Sequence, residues 1–187
     1  DFQSLVAALS KAELVETLQG DGPFTVFAPT DAAFEQLLTD LGLASLDDLT
    51  KEDLTPILLY HVLGAQVMSG DLTDGYVSTL SPGAEEGTNA ALLVDAALAK
   101  LNGSVSITTT DIIASNGVIH VIDKVMLPND VVDLAVNNSI FSSLVAAVTK
   151  AELVETLQGE GPFTIFAPTD AAFTAFLDDL GVTLDDL

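Results

Sequence analysis

The chain has 187 residues, of which 28 are acidic and 5 are basic, so its net charge at neutral pH is −23. Such a charge repels nucleic acid phosphates and anionic lipids, which argues against both as partners, and it suits divalent cations or a salty medium. About half of the residues are hydrophobic, enough to bury a core, and the absence of cysteine excludes disulfides and thiolate metal sites.

The first forty residues predict helices around one strand. Apolar residues at a helical spacing predict a helix over residues 4–19, and the alternating run at residues 24–28 predicts a strand. A further helix is expected to start at Thr30 or Asp31 and to continue to Leu41.

The next helix has two candidate starts. Thr50 and Asp53 form a capping-box pattern for a helix that reaches Leu63. Pro56 would fit better at the first helical position, after a cap at Thr55. The sequence leaves both starts open.

After Gly64 the chain has β character, and turns rich in glycine and proline separate its segments. Asn116-Gly117 is the strongest hairpin signal among these turns, because both residues tolerate positive φ. Helices followed by antiparallel strands predict an α+β fold. The expected strands are residues 65–68, 76–80, 90–94, 104–109, 111–114 and 118–127.

The chain then repeats itself. Residues 4–34 and 143–173 differ at only four of their 31 positions. Phe2 corresponds to Phe141, which gives a period of 139 residues. A period of this length is the size of a whole domain and too long for a solenoid repeat.

The repeat places a domain boundary after Pro128. Residues 1–128 are expected to form a first domain, and residues 130–137 predict a helix that leads into the second copy. Residues 129–187 are expected to form the N-terminal half of a second domain, too short to bury a full core by itself. We expect its missing parts to come from a neighbouring chain or from a longer array.

Three motifs in order resemble the boxes of the fasciclin domain family. Residues 25–34 resemble its first box, residues 59–62 its central Tyr-His motif and residues 116–128 its closing box, and the first box returns at residues 164–173. The resemblance covers the whole chain and implies an α+β fold, a wedge of antiparallel β-strands with helices packed over one side, in tandem. By this resemblance, residues 1–128 are expected to lack the short helix that opens the family's domain.

The resemblance also implies a role. Members of the family are secreted or surface-anchored modules for cell adhesion, matrix assembly and biofilm, and they are generally not enzymes. We therefore expect an extracellular or cell-surface adhesion or structural module that contacts neighbouring copies of itself head to tail, into a filament. Matrix polysaccharide or a cell-surface protein is a further expected partner. The alternative is a monomeric polysaccharide- or protein-binding module, which the lack of Trp weakens and exposure of Tyr76 would favour.

The resemblance points to two adhesion motifs. In animal members the Tyr-His motif is implicated in integrin binding, which marks Tyr60 and His61, and an Asp-Ile adhesion motif falls at Asp111 and Ile112. The apolar surroundings favour a bracing role for Tyr60 and His61, and a turn or edge position for Asp111. His61 and His120 could hold a metal with nearby carboxylates, but hydrogen-bonded structural histidines fit their positions better.

Loosely bound Ca²⁺ is the one cofactor that the acidic composition suggests. Paired carboxylates in loops are candidate ligands, but none follows an EF-hand pattern, and a solvated acidic face is the simpler interpretation. No nucleophile elbow, phosphate loop or zinc-protease motif indicates an enzyme. No apolar run reaches the roughly 20 residues of a membrane span. The candidate Ca²⁺ ligands are Asp71, Asp74, Glu85 and Glu86.

Overall fold

The computed structural model describes residues 2–159 and 161–184. Two compact units follow one another along the chain, Asp1–Pro128 and Asn129–Leu187. The first unit contains helices and a sheet, in agreement with the predicted α+β class. Its helices are α1 (Gln3–Lys11), α2 (Val15–Leu18), α3 (Asp31–Leu41) and α4 (Lys51–Tyr60).

Side-chain caps determine where α3 and α4 begin. Thr30 caps α3 by accepting a hydrogen bond from the N–H of Ala33. The Thr50 hydroxyl accepts the N–H of Asp53, and the Asp53 carboxylate accepts the N–H of Thr50. The capping-box start at Thr50 is therefore confirmed, and Pro56 lies within the helix.

The predicted single helix over residues 4–19 is wrong, because a turn separates α1 from α2. Glu13 in this turn has a φ of 57°, and the N–H of Leu14 donates to the carbonyl of Leu9. The turn buries the Leu14 side chain among the helices, and this burial offsets the cost of a left-handed glutamate.

The strands form one sheet in the order β2-β1-β7-β6-β5-β4-β3. All neighbouring pairs are antiparallel except β1 and β7, which run parallel with Phe24 opposite Gly117 and Pro29 opposite Ile122. Gly117 permits this approach, because a Cβ there would lie 2.1 Å from the Phe24 carbonyl oxygen. The strands are β1 (Phe24–Pro29), β2 (Val62–Leu63), β3 (Gly75–Pro82), β4 (Asn89–Asp95), β5 (Lys100–Leu101), β6 (Val105–Ala114) and β7 (Gly117–Ile122).

Some of the predicted boundaries are wrong. Helix α4 ends at Tyr60 rather than at Leu63, since β2 follows it directly. The expected strand at residues 65–68 is a loop. The two strands expected at residues 104–109 and 111–114 are one strand, β6, with shifts of register where it pairs with β7.

The last strand also ends earlier than predicted. Strand β7 stops at Ile122 rather than at Leu127, because the chain turns so that Met126 is buried in the core. The short strand β5 was not predicted, because two residues carry no periodic pattern.

The core of the first unit consists of two clusters, and α4 contributes to both. The sheet cluster contains Phe27, Tyr60, Leu63, Leu92, Val94, Leu101, Val105, Ile122 and Met126. The helical cluster contains Ala8, Ala12, Leu14, Phe34, Leu37, Leu49, Leu54 and Leu58.

The second unit repeats the helices of the first. Helix α6 corresponds to α1, α7 to α2 and α8 to α3, and α5 precedes them. Residues 163–168, which correspond to β1, have no strand pairing within the described part of this unit. The helices are α5 (Val131–Val136), α6 (Ser142–Lys150), α7 (Val154–Leu157) and α8 (Asp170–Leu180).

Across residues 2–159 and 161–184, every helix is too short or too polar to cross a membrane.

The repeat supplies a matched pair of substitutions. Phe27→Ala removes a side chain with 0% exposure, and we expect it to lower the free energy of unfolding by about 3–5 kcal/mol because it leaves a cavity. Phe166→Ala, at the corresponding position with 94% exposure, is expected to change it by less than about 0.5 kcal/mol. Urea unfolding followed by circular dichroism measures both. Equal losses would show that residues 163–168 are packed in solution.

Candidate functional site

Tyr60 and His61 lie in the core, where α4 meets β2. Tyr60 has 0% exposure, its hydroxyl donates to the carbonyl of Ala91 over 2.7 Å, and it accepts from the Asn102 amide over 3.2 Å. The ring therefore ties α4 to the sheet. Neither side chain of the Tyr-His motif reaches the surface, so the motif supports the fold in this conformation.

His61 joins the end of α4 to the segment after β7. Its Nδ1 lies 2.8 Å from the carbonyl oxygen of Ile57, and its Nε2 lies 2.9 Å from the N–H of Met126. The first contact needs a donor and the second an acceptor, which assigns the neutral Nδ1–H tautomer. Burial lowers the pKa of His61 from 6.5 to about 4, and the bond to Ile57 opposes this shift only in part.

Asp111 lies within β6 at a φ of 61°, a left-handed conformation that aspartate tolerates better than most residues. Its carboxylate accepts the N–H of Ser69 over 2.8 Å and the hydroxyl of the same residue. These bonds to Ser69 hold the pKa of Asp111 below its usual range. The carboxylate thus anchors the loop before β3 to the sheet.

The loop of residues 65–69, which Asp111 contacts at Ser69, is held at two further points. These contacts explain why residues 65–68 are not a strand. The Thr25 hydroxyl donates to the carbonyl of Ala65 and accepts the N–H of Val67. His120 Nε2 lies 2.9 Å from the carbonyl oxygen of Val67, while its Nδ1 accepts the N–H of Asp111 over 3.2 Å. Side chains replace the sheet ladder here, so buried backbone groups are satisfied without a strand.

The bracing leaves an apolar tip exposed at the end of β6. Ile112 is 42% exposed and Ile113 is 61% exposed, close to the turn at Ser115 and Asn116 that joins β6 to β7. We call Ile112 and Ile113 the β6 tip. The sequence analysis missed Ile113, Ser69 and Thr25. Two adjacent isoleucines before a hairpin turn were the available signal for the tip, since successive strand residues face opposite sides and both cannot enter one core.

The four carboxylates proposed as Ca²⁺ ligands lie in separate turns. Asp71 ends a 3₁₀ turn, and Asp74 accepts the N–H of Ala96 over 2.8 Å, so it caps the turn after β4. Glu85 and Glu86 lie exposed in the turn between β3 and β4. Among the described residues, no three His, Asp or Glu side chains come close enough together to hold a metal ion.

The anchor of the 65–69 loop can be tested with two substitutions at Asp111. Asp111→Ala removes both bonds to Ser69 and leaves a residue that tolerates the left-handed conformation poorly, so we expect a lower urea midpoint and faster hydrogen exchange at the amides of Val67 and Ser69. Asp111→Asn keeps a hydrogen-bond acceptor and tolerates the left-handed conformation, so its urea midpoint should fall less than that of Asp111→Ala. Equal effects would contradict an anchoring role.

His61 makes the stability depend on pH. Its pKa is lower in the folded protein than in the unfolded chain, so the unfolded chain binds the extra proton first, and stability is full above about pH 6.5 and is lost as the pH falls towards about 4. We expect a loss of about 2 kcal/mol between about pH 7 and about pH 5.

Urea unfolding at both pH values, in saline that screens surface charge, measures this loss. His61→Gln serves as the control, because it removes the titrating group and should flatten the dependence. If the variant loses as much stability as the wild type between the two pH values, groups other than His61 cause the loss.

Comparison with known proteins reveals a family and its fold. The sequence model of the fasciclin domain family matches residues 1–128 and 139–185. Protein sll1483 of Synechocystis sp. is 40% identical over 127 residues, which are 68% of this chain and 67% of that protein. Human periostin is 32% identical over 179 residues, which are 93% of this chain but 20% of periostin. The chain therefore spans about a fifth of the length of that relative.

A solved structure shares the architecture. The FAS1 domain pair from the insect cell adhesion molecule Fasciclin I superposes with a TM-score of 0.57 at 15% identity, over 93% of this chain and 62% of that one. At this identity the likeness shows the fold alone. The family match over both units, together with the shared α+β fold, shows that this chain belongs to the fasciclin domain family.

Proposed function

We propose that the chain is an adhesive or structural module of an extracellular or cell-surface protein and that it acts by binding rather than by catalysis. Its membership of the fasciclin family supports this, as does its likeness to a domain pair from an insect cell adhesion molecule. The observation that carries the proposal is the β6 tip, an exposed apolar pair that follows Asp111, whose carboxylate is bonded to Ser69. Exposed apolar side chains favour binding, because a partner removes them from water.

The partners that fit this module are neighbouring copies of the chain, in head-to-tail contact, and matrix polysaccharide or a cell-surface protein. A head-to-tail contact that does not close on itself builds a filament. A net charge of −23 opposes contact between copies, so salt or loosely bound Ca²⁺ has to screen it. The same charge argues against nucleic acid as a partner.

Beads coated with the protein test the role of the tip. In calcium-containing saline we expect the beads to cluster, and the double substitution of Ile112 and Ile113 by Ser to reduce clustering at least severalfold, because it removes exposed apolar contact area. Leu98→Ser is the matched control, since Leu98 is exposed outside the tip. Equal clustering by the wild type and the tip variant would contradict the proposal.

The same beads test the role of cations. Chelator at low salt should disperse the clusters, because the charges of neighbouring copies are then unscreened. Clusters that persist under those conditions would show that neither Ca²⁺ nor salt screening is needed. They would not contradict the role of the β6 tip.

A monomeric polysaccharide-binding module is the second candidate. Tyr76 on β3 is 48% exposed, and an exposed aromatic ring favours contact with sugars. Beads that bind polysaccharide without clustering with one another would fit this candidate better than the first.

A further inference from the structure

The segment that follows β7 belongs to neither a strand nor a helix. In the described part of the chain, the backbone of residues 124–128 makes one hydrogen bond, in which the N–H of Met126 donates to His61 Nε2 over 2.9 Å. Asp123, directly before the segment, is fixed independently, because its N–H donates to the carbonyl of Ser106 and its carboxylate accepts the N–H of Ser106. One ring nitrogen of His61 therefore holds the backbone of the segment in place.

The segment contributes side chains to both core clusters. Met126 is 2% exposed and lies in the sheet cluster, while Val125 is half-buried against the helical cluster. Release of residues 124–128 exposes these two side chains but breaks no pairing between strands. Opening of the segment by itself therefore costs less free energy than unfolding of the whole unit.

A further proton on His61 is incompatible with this arrangement. Nδ1 already donates to the carbonyl of Ile57, and Nε2 is the acceptor for Met126. A proton on Nε2 points one N–H at another and leaves a charged ring buried in the core, which is costly. Movement of Met126 away from the ring removes the opposing N–H and admits water to the charge.

Among the described residues, the elements packed against His61 bring no charged side chain to its ring. Strands β1 and β2 contain no titratable residue, and the Tyr60 hydroxyl on α4 donates to the carbonyl of Ala91. On β7, His120 uses both ring nitrogens for backbone groups of other segments. Burial lowers the pKa of His61, and only the bond to Ile57 opposes this shift. The remaining titratable groups lie in the first turn of α4 or are exposed after β7, and they are Lys51, Glu52, Asp53, Asp123 and Lys124.

We propose that His61 is a proton-operated latch, whose neutral ring holds residues 124–128 against the core and whose protonated ring releases them. The released residues add to the stretch of chain that joins the two units, and five extended residues span up to about 17 Å. Mild acid therefore lengthens this link while the sheet and the helices of the first unit stay formed. The latch goes beyond the adhesive function and does not depend on it.

The exchange of amide protons in the intact chain tests the latch. Nuclear magnetic resonance follows deuterium exchange at the N–H of Met126 and at the N–H of Asn102, which donates to the carbonyl of Leu93 and reports opening of the sheet. Each rate is divided by the rate of an unprotected chain at the same pH, which gives a protection factor.

We expect the protection factor of Met126 to fall about twentyfold between about pH 7 and about pH 5. The reason is that the pKa of His61 is about 6.5 when the segment is released and about 4 when it is held, so the proton favours release over this range. At about pH 5, Met126 should also be less protected than Asn102, since release needs less free energy than unfolding.

Two variants separate the effect of His61 from that of nearby charges. His61→Gln removes the titrating group and should abolish the fall, while Lys124→Gln removes an exposed charge of the same segment and should leave the fall unchanged. Equal protection of Met126 and Asn102 in the wild type at both pH values would show that the segment leaves the core only when the unit unfolds. That result would overturn the latch whether or not His61→Gln folds, and so would an undiminished fall in a folded His61→Gln chain.

Discussion

The structure of the first unit depends on the placement of β1 between β2 and β7. This strand comes from the helical part of the chain, yet it pairs in parallel with β7, the last strand in the sequence, and buries Phe27 in the sheet cluster. The paired residues of β1 and β7 are far apart in sequence, so bringing them together costs loop-closure entropy. Packing of the helices against the sheet offsets this cost. The helices and the sheet of the first unit therefore depend on each other for stability.

Two buried histidines connect further segments to this arrangement of strands. His61 connects α4 to the segment that follows β7, and His120 connects β7 to the loop after β2. Each ring contacts backbone groups through both nitrogens. The motif residues Tyr60, His61 and Asp111 therefore hold distant segments of the fold together, while Ile112 and Ile113 are exposed.

Comparison of the two copies shows which structural features depend on local sequence and which depend on distant contacts. Helices α6 to α8 reproduce α1 to α3 although residues 129–159 and 161–184 contain no strand, because helical hydrogen bonds and caps are made between near neighbours in sequence. Residues 163–168, which repeat the β1 sequence, pair with no strand in the part of the second unit that the structure describes, and a strand needs a partner to receive its hydrogen bonds.

The amino-acid sequence by itself determined the repeat, the family, the α+β class and a hairpin at the Asn-Gly signal, since each is written in neighbouring residues or in ordered motifs. It left two candidate caps for α3 and two candidate starts for α4, and the structure decided for Thr30 and Thr50. Only the tertiary structure decided the parallel pairing of β1, the loop at residues 65–68 and the left-handed Asp111. Asp111 and Ser69 lie 42 residues apart in sequence, and no periodic pattern links them. Contacts of this kind arise from the way the sheet brings distant segments together, which local propensity does not encode.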